Sequence, residues 1–298
     1  MGKKGKKAQA GKPKKLTPKD IGKRLDALAK KLEEELKDAD LFAPFPPAED
    51  CPICMVPMSR LPQGSHAMPC CGNLICCGCY KENRASVQKE EKENSSNNTV
   101  NPHDVCSFCR SKLCGRSDEG SMVQLERRIE KHDDPSAYNS LGWMISRGRG
   151  TKKNALKALD YFIRGAELGS KEACANIGLC YRDGDGVSQD TEKELFFLRI
   201  AALRGEIISH HNLGCLEYDL RNYDIAIRHW KVAAEAGSQH SLNQLKRIYN
   251  ANGKKPGREF ISKDYLDWVY RECHEAQREV RTENREKYCT KASKIFRC

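Results

Sequence analysis

The sequence predicts a mostly α-helical chain in two folded parts: a small unit built on cysteines, followed by a solenoid of stacked helix hairpins. Three observations predict it. Seven of the sixteen cysteines crowd into residues 51–79. The pairs Leu141-Gly142, Ile177-Gly178 and Leu213-Gly214 recur at intervals of 36 residues. The stretch from 18 to 40 carries leucines at helical spacing. A length of 298 residues has room for at least two such parts.

The chain opens with MGKKGKKAQAGKPKK, whose seven lysines and no acid supply most of the formal net charge of +11. Residues 1–17 are therefore expected to form a disordered basic tail, suited to a nuclear address or to loose contact with acidic surfaces. Without interleaved aromatics the tail does not suit nucleic-acid reading. No signal peptide opens the sequence, and its longest apolar run, LFFL followed by IAAL, is broken by Arg199. A soluble, intracellular protein of cytoplasm or nucleus is expected, with no membrane partner. Lys6 stands where a myristoylation signal needs Ser or Thr.

In residues 18–40, Thr17-Pro18 gives a helix start, and Ile21, Leu25, Leu28, Leu32 and Leu36 fall on one stripe. Such a helix either docks on the repeats or pairs with a partner. It is too short for a long coiled coil.

Sixteen cysteines in a reducing compartment argue against disulfides and for metal ligation. Cys51 and Cys54, Cys76 and Cys79, and Cys106 and Cys109 each enclose two residues. That knuckle turns both sulfurs toward one ion, about 2.3 Å away. Three pairs give six ligands, whereas two four-coordinate zinc sites need eight. Cys70 and Cys71 are the nearest candidates, and Asn73 occupies the place where a histidine would complete a Cys-Gly-His run. His66 or Cys77 can replace one of the adjacent pair; otherwise Cys77, like Cys114, is a spare thiol. The segment has few core residues, chiefly Ile53, Val56, Leu61, Leu74, Ile75, Tyr80, Val105 and Phe108. Structural zinc supplies on the order of 10 kcal/mol to such small modules. No Cys, His and acid set suggests a cysteine nucleophile. After Cys79 the chain reads as a short helix and then a polar surface loop.

The order CPIC, fifteen residues, CCGNLICCGC, twenty-six residues and CSFCR resembles a RING finger over about residues 50–114, within a unit assigned to 48–115. The resemblance implies a cross-brace of two Zn2+ ions. Cys51, Cys54, Cys76 and Cys79 would hold one ion, and Cys70, Cys71, Cys106 and Cys109 the other. It implies recruitment of a ubiquitin-conjugating enzyme, with Ile53 in contact with that enzyme and Arg110 holding ubiquitin in its reactive pose. The chain departs from the family in the adjacency of Cys70 and Cys71, and in Ser107, where a proline often follows the seventh ligand. The expected helix after Cys79 also lacks a bulky contact residue.

Downstream, Gly169, Gly205 and Gly237 close successive units at intervals of 36 and 32 residues, and Ala166, Ala202 and Ala234 align just before them. Asn154, Asp190 and Asn222 fall in register as N-caps of each unit's second helix. Leu159, Leu195 and Ile227, then Phe162, Leu198 and Trp230, give those helices an apolar stripe. The glycines at 142, 178 and 214 let paired helices approach closely. LGWMISRGRG, IGLCYRDGDGV and the closing AELGS, AALRG and AEAGS resemble the SEL-like repeat family, relatives of tetratricopeptide repeats, over about residues 133–250. The solenoid is assigned to 116–254. Its third unit drops four residues, and a fourth, with Lys246 in place of the glycine, reads as a polar cap.

RGRG and GDG lie between helices with no strand before them, which makes them turns and not phosphate cradles. His210, His211, His229 and His240 share no ligand spacing and read as surface or packing residues. Residues 255–298 form a helical cap and tail, in which Tyr265, Trp268, Val269 and Cys273 give a face for the last repeat. The combination and the RING resemblance together imply a zinc-binding ubiquitin ligase scaffold that takes a conjugating enzyme on its zinc unit and a protein substrate or adaptor on its repeats. The alternative is a noncatalytic adaptor whose zinc only folds a protein-binding head.

Overall fold

The computed structural model describes residues 17–37, 39–43, 117–251 and 256–279, together with the backbone of 65–67 and 74–76. The basic tail, most of the cysteine region and the chain beyond residue 279 lie outside the described residues.

Helix α1, Pro18–Leu36, starts at a capping box in which Thr17 Oγ1 accepts from the Asp20 amide at 3.2 Å and Asp20 Oδ2 accepts from the Thr17 amide at 3.3 Å. Its stripe buries Ile21, Leu25, Leu28 and Leu32, with Leu36 half-buried beside them. Two short strands follow, β1 (Ser65–Ala67) and β2 (Leu74–Cys76), antiparallel with Ser65 opposite Cys76 and Ala67 opposite Leu74.

The remainder is helical. Helix α2, Asp118–His132, precedes three hairpins: α3 (Pro135–Arg147) with α4 (Ala155–Glu167), α5 (Lys171–Asp183) with α6 (Thr191–Leu203), and α7 (Ile207–Asp219) with α8 (Tyr223–Glu235). Helix α9, Gln239–Tyr249, and helix α10, Lys263–Glu279, complete the stack. Each helix packs on the next in sequence, and α1 lies across α4 and α6. Of the two fates open to the N-terminal helix, the structure shows the docked one.

The repeat closes through a glycine on each first helix. A Cβ at Gly142 would stand 2.7 Å from Phe162, at Gly178 3.1 Å from Leu198, and at Gly214 2.5 Å from Trp230. The three side chains are those of the second-helix stripe, one per hairpin. Leu195 differs from Leu159 and Ile227 in being only half-buried, set beside Leu198. Gly169, Gly205 and Gly237 end the units with φ of 98°, 86° and 97°, a left-handed backbone that side chains resist.

Asn154 and Asp190 cap α4 and α6 by accepting from the Lys157 and Lys193 amides, each at 3.0 Å. Asn222 occupies the equivalent place at the start of α8 but makes no capping bond. Its amide donates instead to Glu217 Oε2 at 2.8 Å. The cause is the four-residue deletion. With no GDGV loop, the chain turns through Arg221 at φ 67° and enters the helix from a backbone that aims the Asn222 side chain back at α7.

Two other differences concern the ends. Helix α2 has no counterpart in the sequence reading, because its buried side is partly polar: Gln124 and Arg128 accompany Leu125. Asp134 balances Arg128, accepting from its Nη2 at 2.6 Å, and the same carboxylate caps α3. In α10, which packs on α8 and α9, the buried face is Leu266, Val269 and Cys273. Trp268 is 39% exposed, one helical position away from that face. Tyr265 is half-buried and donates to Glu235 Oε1 at 2.7 Å.

Candidate functional site

An open cavity of about 370 Å³ lies where α2 meets the first hairpin. Asp118 and Ser121 line it from α2, Asn139, Ser140, Trp143 and Met144 from α3, and Arg149 from the turn that follows. Trp143 faces outward because its neighbours Gly142 and Met144 take the buried side of α3, and it stays 39% exposed. Arg149 is placed by the RGRG turn, where Gly148 and Gly150 take φ of 70° and 69°. The turn reading of RGRG and of GDG therefore holds; Gly184 and Gly186 likewise have φ of 74° and 82°.

Asp118, in the first turn of α2, fixes the Arg149 guanidinium through bonds of 2.7 and 3.2 Å, which raise the guanidinium pKa further. The guanidinium carbon sits 5.5 Å from the Trp143 ring centre. Behind them, Asn176 of α5 donates to Asn139 Oδ1 at 2.8 Å, so one carboxamide orients the other across two repeats. An exposed indole, a fixed guanidinium, a carboxamide and hydroxyls make a surface for stacking and hydrogen bonding with a peptide chain.

The thiols of the repeats are not set up as nucleophiles. Burial pushes the Cys174 and Cys180 thiols up to about 12, so both stay protonated. Cys215 is raised as well, despite lying 3.7 Å from His211 Nε2. No group of three His, Cys, Asp or Glu side chains converges on a point among the described residues.

Of the sequence-predicted site residues, Cys76 ends β2. Cys51, Cys54, Cys70, Cys71, Cys79, Cys106 and Cys109, and the contact residues Ile53 and Arg110, lie outside the described residues. The sequence reading missed the cavity at α2 and α3. One signal was present: LGWM puts tryptophan where the next two units have Leu179 and Cys215, directly after the buried glycine.

The Sel1 repeat family model matches residues 135–170, 171–206 and 208–238, which are the three hairpins. Among solved structures, the chain is similar to a Sel1 repeat protein from Oxalobacter formigenes, at 26% identity and a TM-score of 0.45 over 53% of this chain and 64% of that one. It is similar to c5321, a protective antigen of uropathogenic Escherichia coli displaying an SLR fold, at 26% identity and a TM-score of 0.45 over 52% of this chain and 33% of that one. The immunity protein Pa5087 from Pseudomonas aeruginosa aligns at 15% identity and a TM-score of 0.34 over 66% of this chain and 83% of that one. The chain thus spans under two thirds of the first two of these proteins. Residues 135–238 are three consecutive Sel1 repeats.

Proposed function

We propose that this chain is a protein–protein interaction scaffold that acts as a RING-type ubiquitin ligase. Its repeats hold a protein substrate or adaptor, and its cysteine unit recruits a ubiquitin-conjugating enzyme. The observation that carries the scaffold reading is the open cavity on the first repeat, with an exposed Trp143 beside an Arg149 that Asp118 holds in place. Such a surface suits binding and positioning of a protein segment.

The donor set supports zinc on the other arm, since three two-residue cysteine knuckles are the ligands that zinc prefers. In this reading Cys51, Cys54, Cys76 and Cys79 hold one Zn2+, and Cys70, Cys71, Cys106 and Cys109 the second. The metal supplies folding energy and no chemistry. Ile53 contacts the conjugating enzyme, and Arg110 restrains the ubiquitin it carries. The rate gain comes from proximity: the thioester is held beside a lysine of the protein on the repeats.

The adaptor reading draws on Ser107, in the place where such ligases commonly carry proline, and on the lack of a bulky contact residue after Cys79. One assay separates the two. Purified protein is incubated with ubiquitin, its activating enzyme, ATP and a panel of conjugating enzymes. The ligase reading expects self-modification that disappears in Ile53→Ala; silence across the panel leaves the adaptor.

A further inference from the structure

Two imidazoles are buried against each other inside the third repeat. His210 of α7 and His229 of α8 are 2% and 1% exposed, and their Nδ1 atoms lie 3.1 Å apart. A contact between two Nδ1 atoms needs a hydrogen on one and a lone pair on the other. At least one ring must therefore be neutral for the pair to fit.

Residues 39–43, which lead from α1 toward the cysteine region, lie against this pair at His229. The Phe42 ring centre is 4.8 Å from that of His229, and the Arg228 guanidinium carbon is 3.8 Å from the same Phe42 ring. Leu41 packs beside Leu198, Ala202 and Leu213, carrying the contact onto α6 and α7. The stretch is held in shape by Asp40, whose carboxylate accepts from the Phe42 amide at 2.9 Å and whose carbonyl accepts from the Ala43 amide at 3.2 Å.

The charges around the pair disfavour a further proton. Arg199 of α6 and Arg228 of α8 act on His229, as does His210. Arg199 is itself ion-paired at 2.9 Å with Glu217 of α7, whose charge is thereby engaged. Asp40, the acid of the covering stretch, is exposed and bonded to its own backbone. Burial, first of all, holds His210 down to about 4, and burial with these neighbours holds His229 down to about 3.

We propose that residues 39–43 form a pH-sensitive strap: Phe42 is seated on the neutral His210–His229 pair, and acidification releases it from the third repeat. Above about pH 6.5 the imidazoles are neutral whether the strap is docked or free, so docking does not depend on pH. Below that value the released form takes up protons that the docked form refuses. Release then grows about tenfold per pH unit for each imidazole that reaches solvent, until the docked pair itself titrates.

Hydrogen exchange of the full chain at pH 7.5 and pH 5.5, corrected for intrinsic rates, tests this. The expected result is a fall of about tenfold in protection at residues 41–43, with α3 to α6 unchanged and with no such fall in His229→Gln. Equal strap protection at both pH values overturns the proposal, as does the same acid loss in His229→Gln. Should His229→Gln not fold, Phe42→Ala gives the second reading through the histidine NMR titration. With the strap removed, His229 should titrate closer to 6.5; an unchanged titration overturns the proposal.

Discussion

Gly214 shows most sharply how one residue sets the geometry of a repeat. A methyl group there would stand 2.5 Å from the Trp230 indole, a distance no real contact shows, whereas at Gly178 it would meet the flexible Leu198 side chain at 3.1 Å. The rigid indole cannot yield, so the helices must part. Gly214→Ala is expected to cost about 1–3 kcal/mol through overpacking, and Gly178→Ala distinctly less. Thermal unfolding of the two variants measures the difference; equal costs would show that the Trp230 contact is not the constraint. The glycine rows were legible in the sequence because a close helix contact must recur wherever the hairpin recurs. Asn222 stands at the N-cap of α8 as expected but makes no capping bond, because register alone does not fix a backbone angle: the deletion before it left the residue type in place and changed the approach to the helix. The buried histidine pair was illegible for a related reason, since 19 residues and a helix turn separate two rings that only the hairpin brings together.

At the scale of elements, α1 is held by two kinds of contact that the repeats supply from far along the chain. Its stripe is buried from Ile21 to Leu32, while its polar flank pairs Arg24 with Asp160, Asp26 with Lys193 at 2.9 Å and Glu35 with Arg204 at 2.7 Å. The ion pairs are partly exposed and screened by water, so each is worth about 0–1 kcal/mol. The stripe carries the docking. Leu28→Ala is expected to cost about 2–5 kcal/mol, and Glu35→Ala less than about 1 kcal/mol. Urea unfolding of both variants checks the ranking, and a larger loss in Glu35→Ala would reverse it. The sequence announced the helix and its apolar side, yet a stripe fits a neighbour or a partner equally well. Only the acids and bases at 160, 193 and 204, which meet α1 in three dimensions, decide between them. The same limit applies to α10, where helical spacing put Leu266, Val269 and Cys273 inward and left Trp268 outside.

At the scale of the whole molecule, the repeats and the cysteine unit divide the work differently. The solenoid folds on its own packing: its core runs from α1 through α6, and a second cluster joins α8, α9 and α10. On the proposed zinc reading, a unit with as few apolar residues as 48–115 would depend on its ions in order to fold. Chelation of the purified protein is therefore expected to leave the helical circular dichroism of the repeats intact and to abolish binding of the conjugating enzyme, and Cys51→Ser is expected to do the same. Loss of the helical signal on chelation would mean that the two parts do not fold independently. The most direct test is native mass spectrometry of the full chain purified without added metal. The account expects two zinc ions per chain, released together by chelation or acid. Folded protein that carries no zinc, or whose paired cysteines are joined as disulfides, would contradict it.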